Sequence, residues 1–506
     1  MLYRPFGKTG KMLSALGIGT TRFPAKTGAG IENAVRLVLE AIDNGVNYID
    51  TSHSYLGGRA EEIVGAALRR TGKEVYVTVK SSYANDRTAD ECYSRICASL
   101  EHIGIKKAHF FIMWSVFSYS DFLKMTERGG LYDGALRAKK EGLVDHICAS
   151  LHCTVNDMIK IIESGLLEGI TITYSVLNQK MMDRVLRRAA ELNVGIVTMN
   201  TLGGGLIPQN EKTFSFIKTE GDATVSRAAL SFCYAHGEIT TMLSGMANAG
   251  ELHDNLGAVL RVMDRAEAEK RIELAEKGFE GITGYCTGCG YCMADGGCPA
   301  GIDTAAFMYS YNGIFFPGGV PDFRRTEERM LENIRICYRL KMSFNILPES
   351  GENPCLECGN CEKKCTQKIQ IIKRVREMYR RFDESGYNKK HIIKKITEAF
   401  DNNHAKIGLW PASVYTSFII DYVREILPGL GAELFIFDKN EKLRGTVNSG
   451  IKIQNPALLP RIKPDAIVIT NYNYEADIYE SIKHYENDGI KVVKLHDKND
   501  LPWGGF

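Results

Sequence analysis

Residues 75–80, Val75-Tyr-Val-Thr-Val-Lys80, form a short run of β-branched and aromatic residues that ends in a lysine. Such a run predicts a buried strand. Comparable strand-like runs recur through the first half of the chain, at residues 48–50, 110–114, 146–150, 169–174, 195–200 and 240–244. Amphipathic helical stretches alternate with them, at residues 31–44, 60–71, 89–103, 154–164 and 179–192. About seven or eight strand–helix units within roughly 260 residues predict an α/β fold, a (β/α)8 TIM barrel.

The alternation has one competing interpretation, a doubly wound sheet. That fold places a glycine-rich turn after its first strand, where the backbone approaches a dinucleotide phosphate. The chain lacks such a glycine-rich first turn. We therefore predict a barrel over residues 1–272, followed by two further units over residues 273–395 and 396–506.

Eight of the 14 cysteines form two tight clusters in the middle of the chain. In each cluster three cysteines are separated by two residues and a fourth follows: Cys286, Cys289, Cys292 and Cys298, then Cys355, Cys358, Cys361 and Cys365. Three thiolates at this spacing can bind different irons of one cluster, and the fourth commonly serves a second cluster. The spacing predicts two [4Fe-4S] clusters in an α-helical ferredoxin-like module over residues 273–395.

The alternatives to iron–sulfur clusters are zinc and disulfides. Zinc usually takes two Cys-x-x-Cys pairs, and disulfides need an oxidising compartment. Five residues separate Cys292 from Cys298, which is longer than usual, although Cys298-Pro299 keeps the expected dipeptide. The remaining cysteines have apolar or helical surroundings and are predicted to be free, buried thiols: Cys92, Cys97, Cys148, Cys153, Cys233 and Cys337.

The last part of the chain, residues 396–506, returns to an α/β pattern. Its strand-like runs are residues 406–410, 434–438, 464–470 and 490–496, and its helical runs are residues 414–427 and 474–488. This pattern predicts a small Rossmann-like α/β domain. The turn after its first strand, residues 410–414, contains no glycine to admit a phosphate, although Asp438 could accept a ribose hydroxyl. Nucleotide binding and a purely packing or docking role both remain open for this domain.

The overall composition is that of a globular protein, with 44% hydrophobic and 25% charged residues. A net charge of +2 predicts no nucleic-acid partner and no membrane-surface role. No apolar stretch approaches the ~20 residues that span a bilayer, and the first residues lack the pattern of a signal peptide. With its many thiols, the chain is predicted to be cytoplasmic.

Three polar residues lie at predicted strand ends, namely Asp50, Tyr55 and Lys80. In a parallel barrel the catalytic groups occupy the C-terminal ends of the strands. A buried lysine beside a carboxylate can lower the pKa of a neighbouring phenol from its usual ~10. Tyr55 is therefore predicted to donate a proton to a substrate oxygen as hydride arrives.

These segments resemble the aldo/keto reductase family, in the branch with a C-terminal ferredoxin-type extension. The resemblance is carried by residues 3–10, 14–17, 48–55, 80, 150–152, 202–205 and 243–246 and by the cysteine clusters. It covers about three quarters of the chain. It implies a carbonyl or alcohol oxidoreductase that uses NADP or NAD. The implied catalytic residues are Asp50, Tyr55, Lys80 and Trp114, and the implied cofactor-binding residues are Ser150, Gly203, Gly204, Ser244, Gly245 and Asn255.

The sequence also departs from the family pattern. Trp114 stands where the family places its active-site histidine, and an indole can donate one hydrogen bond but cannot exchange a proton. Thr171 and Met199 replace the usual glutamine and tyrosine around the nicotinamide. Residues 246–248 lack the basic groups that usually hold a 2′-phosphate.

Three functions follow from these observations. The first is an enzyme for a small carbonyl or alcohol whose clusters exchange electrons with a redox partner protein. The second is an electron-transfer or scaffold subunit whose barrel has lost efficient catalysis. The third is a nucleotide-sugar redox enzyme whose last domain holds the nucleotide.

Overall fold

The computed structural model describes residues 1–25, 28–280, 286, 290–293, 297–312, 347–365, 367–384, 386–398, 406–426, 432–471 and 475–496. Its first part is a closed barrel of eight parallel strands. In chain order, after a hairpin of β1 (Tyr3–Pro5) and β2 (Met12–Ser14), these are β3 (Leu16–Gly19), β4 (Tyr48–Asp50), β5 (Tyr76–Ser82), β6 (Ala108–Val116), β7 (Val144–Leu151), β8 (Gly169–Thr173), β9 (Gly195–Met199) and β10 (Thr241–Ser244). The barrel closes where β10 pairs with both β3 and β9, as the alternation predicts.

The N-terminal hairpin closes the bottom of the barrel. Strands β1 and β2 pair antiparallel, and the turn between them carries Phe6, whose ring packs edge-on against Phe110 at a centroid distance of 5.2 Å. A Cβ on Gly169 or Gly195 would stand 2.2 or 2.3 Å from the Phe6 ring. These two strands therefore begin with glycine because the Phe6 ring occupies the space of a side chain.

The helices of the barrel region follow the predicted segments closely. Helix Ala89–Ile103 begins at Thr88, whose hydroxyl accepts a hydrogen bond from the Glu91 amide while the Glu91 carboxylate accepts from the Thr88 amide. This capping box satisfies amide groups that the first turn leaves unpaired. The helices are α1 (Gly28–Asp43), α2 (Arg59–Leu68), α3 (Ala89–Ile103), α4 (Tyr119–Thr126), α5 (Leu131–Lys140), α6 (Val155–Glu163), α7 (Gln179–Glu191), α8 (Leu206–Gln209), α9 (Glu211–Phe214), α10 (Val225–Ala235), α11 (Ala249–Gly257) and α12 (Arg265–Glu280).

The described part of the middle segment is helical. It contains α13 (Thr304–Tyr311), α14 (Asn360–Lys364), α15 (Ile371–Glu384) and α16 (Lys389–Glu398). Phe307 of α13 stacks on Tyr379 of α15 at a centroid distance of 5.7 Å and meets Phe382 edge-on at 6.1 Å. These aromatic contacts hold the two cysteine-bearing segments together.

The last part of the chain contains a six-stranded sheet among its described residues, in the order β13-β14-β12-β11-β15-β16. The strands are β11 (Lys406–Trp410), β12 (Glu433–Phe437), β13 (Val447–Asn448), β14 (Ile451–Gln454), β15 (Ala466–Ile469) and β16 (Lys491–Lys494). All pairs are parallel except β13 with β14. The helices are α17 (Val414–Ile426), α18 (Leu459–Ile462) and α19 (Glu475–Ile482). From β11 the chain first adds strands on one side of the sheet, as far as β14, and then on the other side, from β15 onwards, so the strand order reverses between β11 and β15. We call this unit, residues 406–496, the tail domain.

The tail domain packs against the loops that follow β5 and β6, at the C-terminal end of the barrel. Arg87 forms an ion pair with Asp421 at 2.8 Å, and the rings of Phe117 and Phe418 meet edge-on at 5.4 Å. The backbone amide of Ser449 donates to the carbonyl of Ala84. The end of the barrel where catalytic groups are expected is thus covered on one side by the tail domain.

Among the helices that the structure describes, none is both long and apolar enough to cross a lipid bilayer.

Candidate active site

Asp50, Lys80 and Tyr55 form one hydrogen-bonded chain at the C-terminal end of the barrel. The Lys80 ammonium donates to Asp50 Oδ1 at 2.7 Å and to the Tyr55 hydroxyl at 2.8 Å. Asp50 ends β4, Lys80 lies on the adjacent β5, and Tyr55 begins the 3₁₀ turn Tyr55–Gly58. Lys80 and Asp50 are 3% and 4% exposed, so their charges are held away from water. The three residues singled out at strand ends are brought together.

Burial and the neighbouring charges decide whether the Lys80 amine and the Tyr55 phenol carry a proton. Burial raises the pKa of the Tyr55 phenol above its usual value, and Lys80 only partly opposes it. Burial would lower the pKa of Lys80, but Asp50 and Tyr55 raise it above its usual value. The expected lowering of the Tyr55 pKa is therefore wrong for this state of the protein, because loss of hydration outweighs the lysine. The phenol keeps its proton at neutral pH and can donate it.

Trp114 lies between Tyr55 and His53, whose side chain is half-buried. Its ring meets Tyr55 edge-on at a centroid distance of 5.7 Å and His53 edge-on at 6.3 Å. Burial lowers the pKa of His53 to about 3 and that of nearby His152 to about 4. Both imidazoles are therefore neutral at pH 7. They can orient a ligand through a hydrogen bond, but they do not supply a positive charge in place of the family histidine.

The residues predicted to bind a nucleotide lie at the ends of the later strands. Asn255 donates its amide hydrogen to Ser244 Oγ at 2.9 Å, and both side chains are buried. Ser150, at the end of β7, accepts a hydrogen bond from the Ser115 amide at 2.9 Å. These contacts fix the side chains on the rim of the barrel, and their role in holding a cofactor stays a prediction.

Gly204 and Gly245 place backbone close to Arg22, a residue that the sequence reasoning missed, whereas Gly203 lies against Leu177. A Cβ on Gly245 would lie 3.3 Å from Cβ of Arg22, and one on Gly204 would lie 3.7 Å from its Nη2. The side chain of Arg22 thus lies beside both of the loops predicted to hold the cofactor, with its guanidinium near Gly204 and its aliphatic part near Gly245. Its only sequence signal is its place just after β3, since strand ends carry the functional groups of this fold.

A large cavity separates the barrel end from the tail domain. Its volume is about 930 Å³. The barrel lines it with His53, Trp114 and Phe117, and the tail domain lines it with Ser413, Phe418 and Asn448. Ser54 and Gly57, on either side of Tyr55 in sequence, also line it. The cavity is within the ~300–1,000 Å³ range of small-molecule sites.

In the tail domain, the side chains that follow the C-terminal ends of β11 and β12 hydrogen-bond to the protein's own backbone. The amides of Ala412 and Asn440 donate to the two carboxylate oxygens of Asp438 at 2.9 and 2.7 Å. Ser413 Oγ donates to the carbonyl of Thr470 across the point where the strand order reverses. Nucleotides bind at this place in related sheets. Asp438 thus helps to hold the turn after β11, and its carboxylate keeps acceptor positions beyond these two hydrogen bonds.

Four of the predicted cluster ligands line one small cavity. Cys298 of the first cysteine cluster and Cys355, Cys358 and Cys361 of the second surround a space of about 20 Å³, and these four thiols are free. In the described residues no three Cys, His, Asp or Glu side chains are grouped to hold a metal ion. Cys289 and Cys337 lie outside the described residues. Cys92, Cys148, Cys153 and Cys233 are buried, as predicted, and Cys97 is half-buried.

The four thiols are the ligand type that an iron–sulfur cluster requires, although the cavity of about 20 Å³ between them is smaller than a [4Fe-4S] cluster. Each thiolate of a [4Fe-4S] cluster binds a different iron, so its ligands stand farther apart than those of a single ion. Four thiols from two loops match this arrangement in number and type. Cys298 lines the same space as Cys355, Cys358 and Cys361, and its role as a ligand stays a prediction.

Comparison with known proteins places the barrel in a family. The aldo/keto reductase family matches residues 15–275, which is more than half of the chain. The chain therefore belongs to the aldo/keto reductase family and is an oxidoreductase of that type.

Individual relatives are distant. The NADH-specific methylglyoxal reductase of Escherichia coli is 22% identical over 54% of this chain and 98% of its own length. The chloroplastic pyridoxal reductase of Arabidopsis thaliana is 23% identical over 43% of this chain and 70% of its own length. A holo-form aldo-keto reductase of Bacillus halodurans and one of Klebsiella pneumoniae in complex with NADPH are 18% and 17% identical. Both cover 54% of this chain and 96% of their own, with TM-scores of 0.47 and 0.46.

Proposed function

We propose that this protein reduces a carbonyl compound, or oxidises the matching alcohol, with NADP or NAD and with Tyr55 as the proton donor. The observation that carries the proposal is the buried chain Asp50–Lys80–Tyr55, with its contacts of 2.7 and 2.8 Å at the barrel end. A bound nicotinamide would supply the hydride. Tyr55 would give its proton to the carbonyl oxygen, and Lys80, charged beside Asp50, would stabilise the phenolate left behind.

The cofactor would lie along the rim formed by the ends of β7, β9 and β10. Ser150, Gly203, Gly204, Ser244 and Gly245 belong to this rim, and Asn255 reaches it from α11 through its hydrogen bond to Ser244. Arg22 lies beside two of its loops and is the cation placed to meet the cofactor's phosphates. The NADH-specific relative supports a nicotinamide cofactor for this proposal, which leaves the choice between NADH and NADPH open.

Replacing Arg22 with alanine should raise the Kd for the nicotinamide cofactor by about tenfold or more. A charge-assisted hydrogen bond to phosphate is worth about 1.5–3 kcal/mol, and about 1.4 kcal/mol corresponds to a tenfold change. Calorimetric titration with NADPH and with NADH measures the effect. Arg36→Ala, on the exposed side of α1, is the control and should bind as the wild type does.

Two outcomes of that titration would count against these assignments. An unchanged Kd in Arg22→Ala removes Arg22 from the cofactor site. If neither nucleotide binds the wild-type protein saturably, the reductase proposal fails, and the electron-transfer or scaffold function becomes the better one. Trp114 is the residue that favours this second function, because it cannot exchange a proton as the family histidine does.

We further propose that the two cysteine clusters bind two [4Fe-4S] clusters and make the protein an electron carrier. One cluster would be held by Cys298, Cys355, Cys358 and Cys361, which line the same space. The other would take Cys286, Cys289, Cys292 and Cys365. Each iron–sulfur cluster moves one electron at a time, whereas a hydride carries two. Electron transfer by the clusters and hydride transfer in the barrel are therefore connected only through a redox partner protein or through a substrate that stabilises a radical.

Protein purified without oxygen should contain about eight iron and eight sulfide per chain. The triple variant of Cys355, Cys358 and Cys361 to alanine should lose about half of both, because only one cluster loses its ligands. Iron and sulfide quantitation with an electron paramagnetic resonance spectrum measures this. Cys92→Ala is the control, a buried thiol of α3 outside both clusters. Wild-type protein that holds zinc or no metal would refute the iron–sulfur assignment.

A further inference from the structure

The turn that carries Tyr55 has a strained backbone. The three residues that follow Tyr55 have positive φ angles, of 55° at Leu56, 65° at Gly57 and 91° at Gly58. This left-handed region is ordinary for glycine, but a residue with a side chain, such as Leu56, rarely adopts it. Strained conformations of this kind persist only where the surrounding structure holds them. The position of the Tyr55 hydroxyl therefore depends on what packs against this turn.

The loop that follows β5, residues 83–88, contacts the segment in front of this turn. Asn85 of that loop donates a hydrogen bond from Nδ2 to His53 Nε2 at 3.3 Å. The ring of His53 meets Trp114 edge-on, and Trp114 in turn packs against Tyr55. A displacement of the loop would therefore reach Tyr55 through the rings of His53 and Trp114.

The tail domain supports the Tyr55 turn directly. Its 3₁₀ turn Glu441–Leu443 lies against the turn Tyr55–Gly58. The half-buried side chain of Leu443 lines the cavity between the barrel and the tail domain, as do Ser54 and Gly57. An apolar side chain at this point limits the space into which the strained turn can relax.

The tail domain also holds the loop that contains Asn85. Asp421 of α17 forms an ion pair with Arg87 at 2.8 Å. The amide of Ser449 donates a hydrogen bond to the carbonyl of Ala84. Because these contacts lie on either side of Asn85 in the chain, they restrict where its side-chain amide can lie.

We propose that the tail domain positions Tyr55 for proton transfer, with Leu443 and Asp421 as positioning residues that act through the turn and the loop. The inference rests on the proposed function, because that function makes Tyr55 the proton donor. These tail-domain contacts lie beside β4, β5 and β6, whereas the predicted cofactor rim lies at the ends of β7, β9 and β10. Loss of the contacts should therefore slow proton transfer without weakening cofactor binding.

Steady-state reduction of a panel of aldehydes and ketones that includes methylglyoxal tests this inference on the full-length protein. Leu443→Ala and Asp421→Lys should each lower kcat by about tenfold or more, because a displacement of about 1 Å can cost about 10²-fold in rate. The Kd for the nicotinamide cofactor, measured by calorimetric titration, should stay as in the wild type. Combining Asp421→Lys with Arg87→Glu restores a pair of opposite charges and should recover most of the lost rate.

Hydrogen exchange followed by mass spectrometry gives a second readout, which does not require turnover. The peptide that contains residues 51–58 should exchange faster in Leu443→Ala and in Asp421→Lys than in the wild type. Leu458→Ala is the matched control. It removes another half-buried leucine of the tail domain, one that does not line the described cavity, and should leave both the exchange and kcat unchanged.

The outcomes separate this inference from the reductase proposal. Exchange of residues 51–58 at the wild-type rate in both Leu443→Ala and Asp421→Lys would overturn the inference, and so would an undiminished kcat in both. A kcat that falls only together with the cofactor affinity would also overturn it, because that result indicates a general loss of structure. Faster exchange in both variants of a protein that reduces no carbonyl would overturn the reductase proposal alone.

Discussion

Replacing Tyr55 with phenylalanine should lower kcat for carbonyl reduction by about 10²–10⁴-fold. The substitution removes the hydroxyl that Lys80 contacts at 2.8 Å and leaves the ring that packs against Trp114. Proton transfer to the carbonyl oxygen then has to come from water, which is neither positioned nor activated. Steady-state measurement of NAD(P)H consumption with a panel of aldehydes and ketones gives the change in kcat.

The same variant should bind the nicotinamide cofactor with unchanged affinity, because the phenol is expected to act on the substrate oxygen. Tyr93→Phe is the matched control. It removes a hydroxyl that contacts Glu141 on the protein surface and should leave kcat as it is. Full turnover in Tyr55→Phe for every carbonyl tested would show that the barrel does not use this residue, and would favour the electron-transfer or scaffold function.

Replacing Asp50 with asparagine should destabilise the protein by about 3–5 kcal/mol, the cost of breaking a buried ion pair from one side. Lys80 would stay buried at 3% exposure with no carboxylate beside it. Chemical denaturation at pH 7 measures the free energy of unfolding. Activity should fall as well, because Asp50 holds the ammonium that contacts Tyr55.

The pH dependence of this variant gives an independent check. With Asp50 neutral, only Tyr55 opposes the effect of burial, so we expect the pKa of Lys80 to fall below its value in the unfolded chain. The unfolded state then binds more protons, so the stability of Asp50→Asn should rise as the pH increases from 7 towards 10. In the wild type the pKa of Lys80 is raised, so the stability that this group contributes is present at pH 7 and is lost only as the pH rises through that raised pKa.

Glu32→Gln is the matched control for Asp50→Asn. It also changes a carboxylate to an amide and breaks an ion pair at 2.7 Å, with Arg70, but both side chains are about half exposed. Exposed pairs contribute little because water and salt already screen their charges. The control should therefore unfold as the wild type does. An equally stable Asp50→Asn would mean that Lys80 is hydrated or neutral in the folded protein.

Much of the barrel and of the hydrogen-bonded chain Asp50–Lys80–Tyr55 could be predicted from the sequence. Helix α3 agrees with the predicted residues 89–103 because Thr88 and Gly104 mark its two ends locally. Asp50 and Lys80 were found because each ends a predicted strand, although β5 continues two residues past Lys80, to Ser82. Strand β6 is longer than the predicted residues 110–114, since Ala108 and Val116 also pair with β7. The residues at which a strand begins and ends depend on pairing with the neighbouring strand, and the sequence of the strand itself does not fix them.

The protonation of the site could not be predicted in the same way. The sequence indicates that a lysine lies near Tyr55, but the direction of the pKa shift depends on how much water reaches the phenol. Burial from several separate segments decides that balance and raises the pKa of Tyr55. Arg22 was missed for a similar reason, because nothing local marks a residue that two distant glycine-containing loops approach.

By itself the sequence determined the periodic alternation of strands and helices, the polar residues at the strand ends and the grouping of the cysteines. These features depend on residues close together in the chain, where spacing and residue type decide the local structure. Only the tertiary structure decided that the tail domain covers the barrel end, that its sheet end is occupied by Asp438 and Ser413, and that Cys298 joins Cys355, Cys358 and Cys361. Those outcomes depend on contacts between surfaces distant in sequence, which are set by shape and charge and leave no periodic signal in the chain.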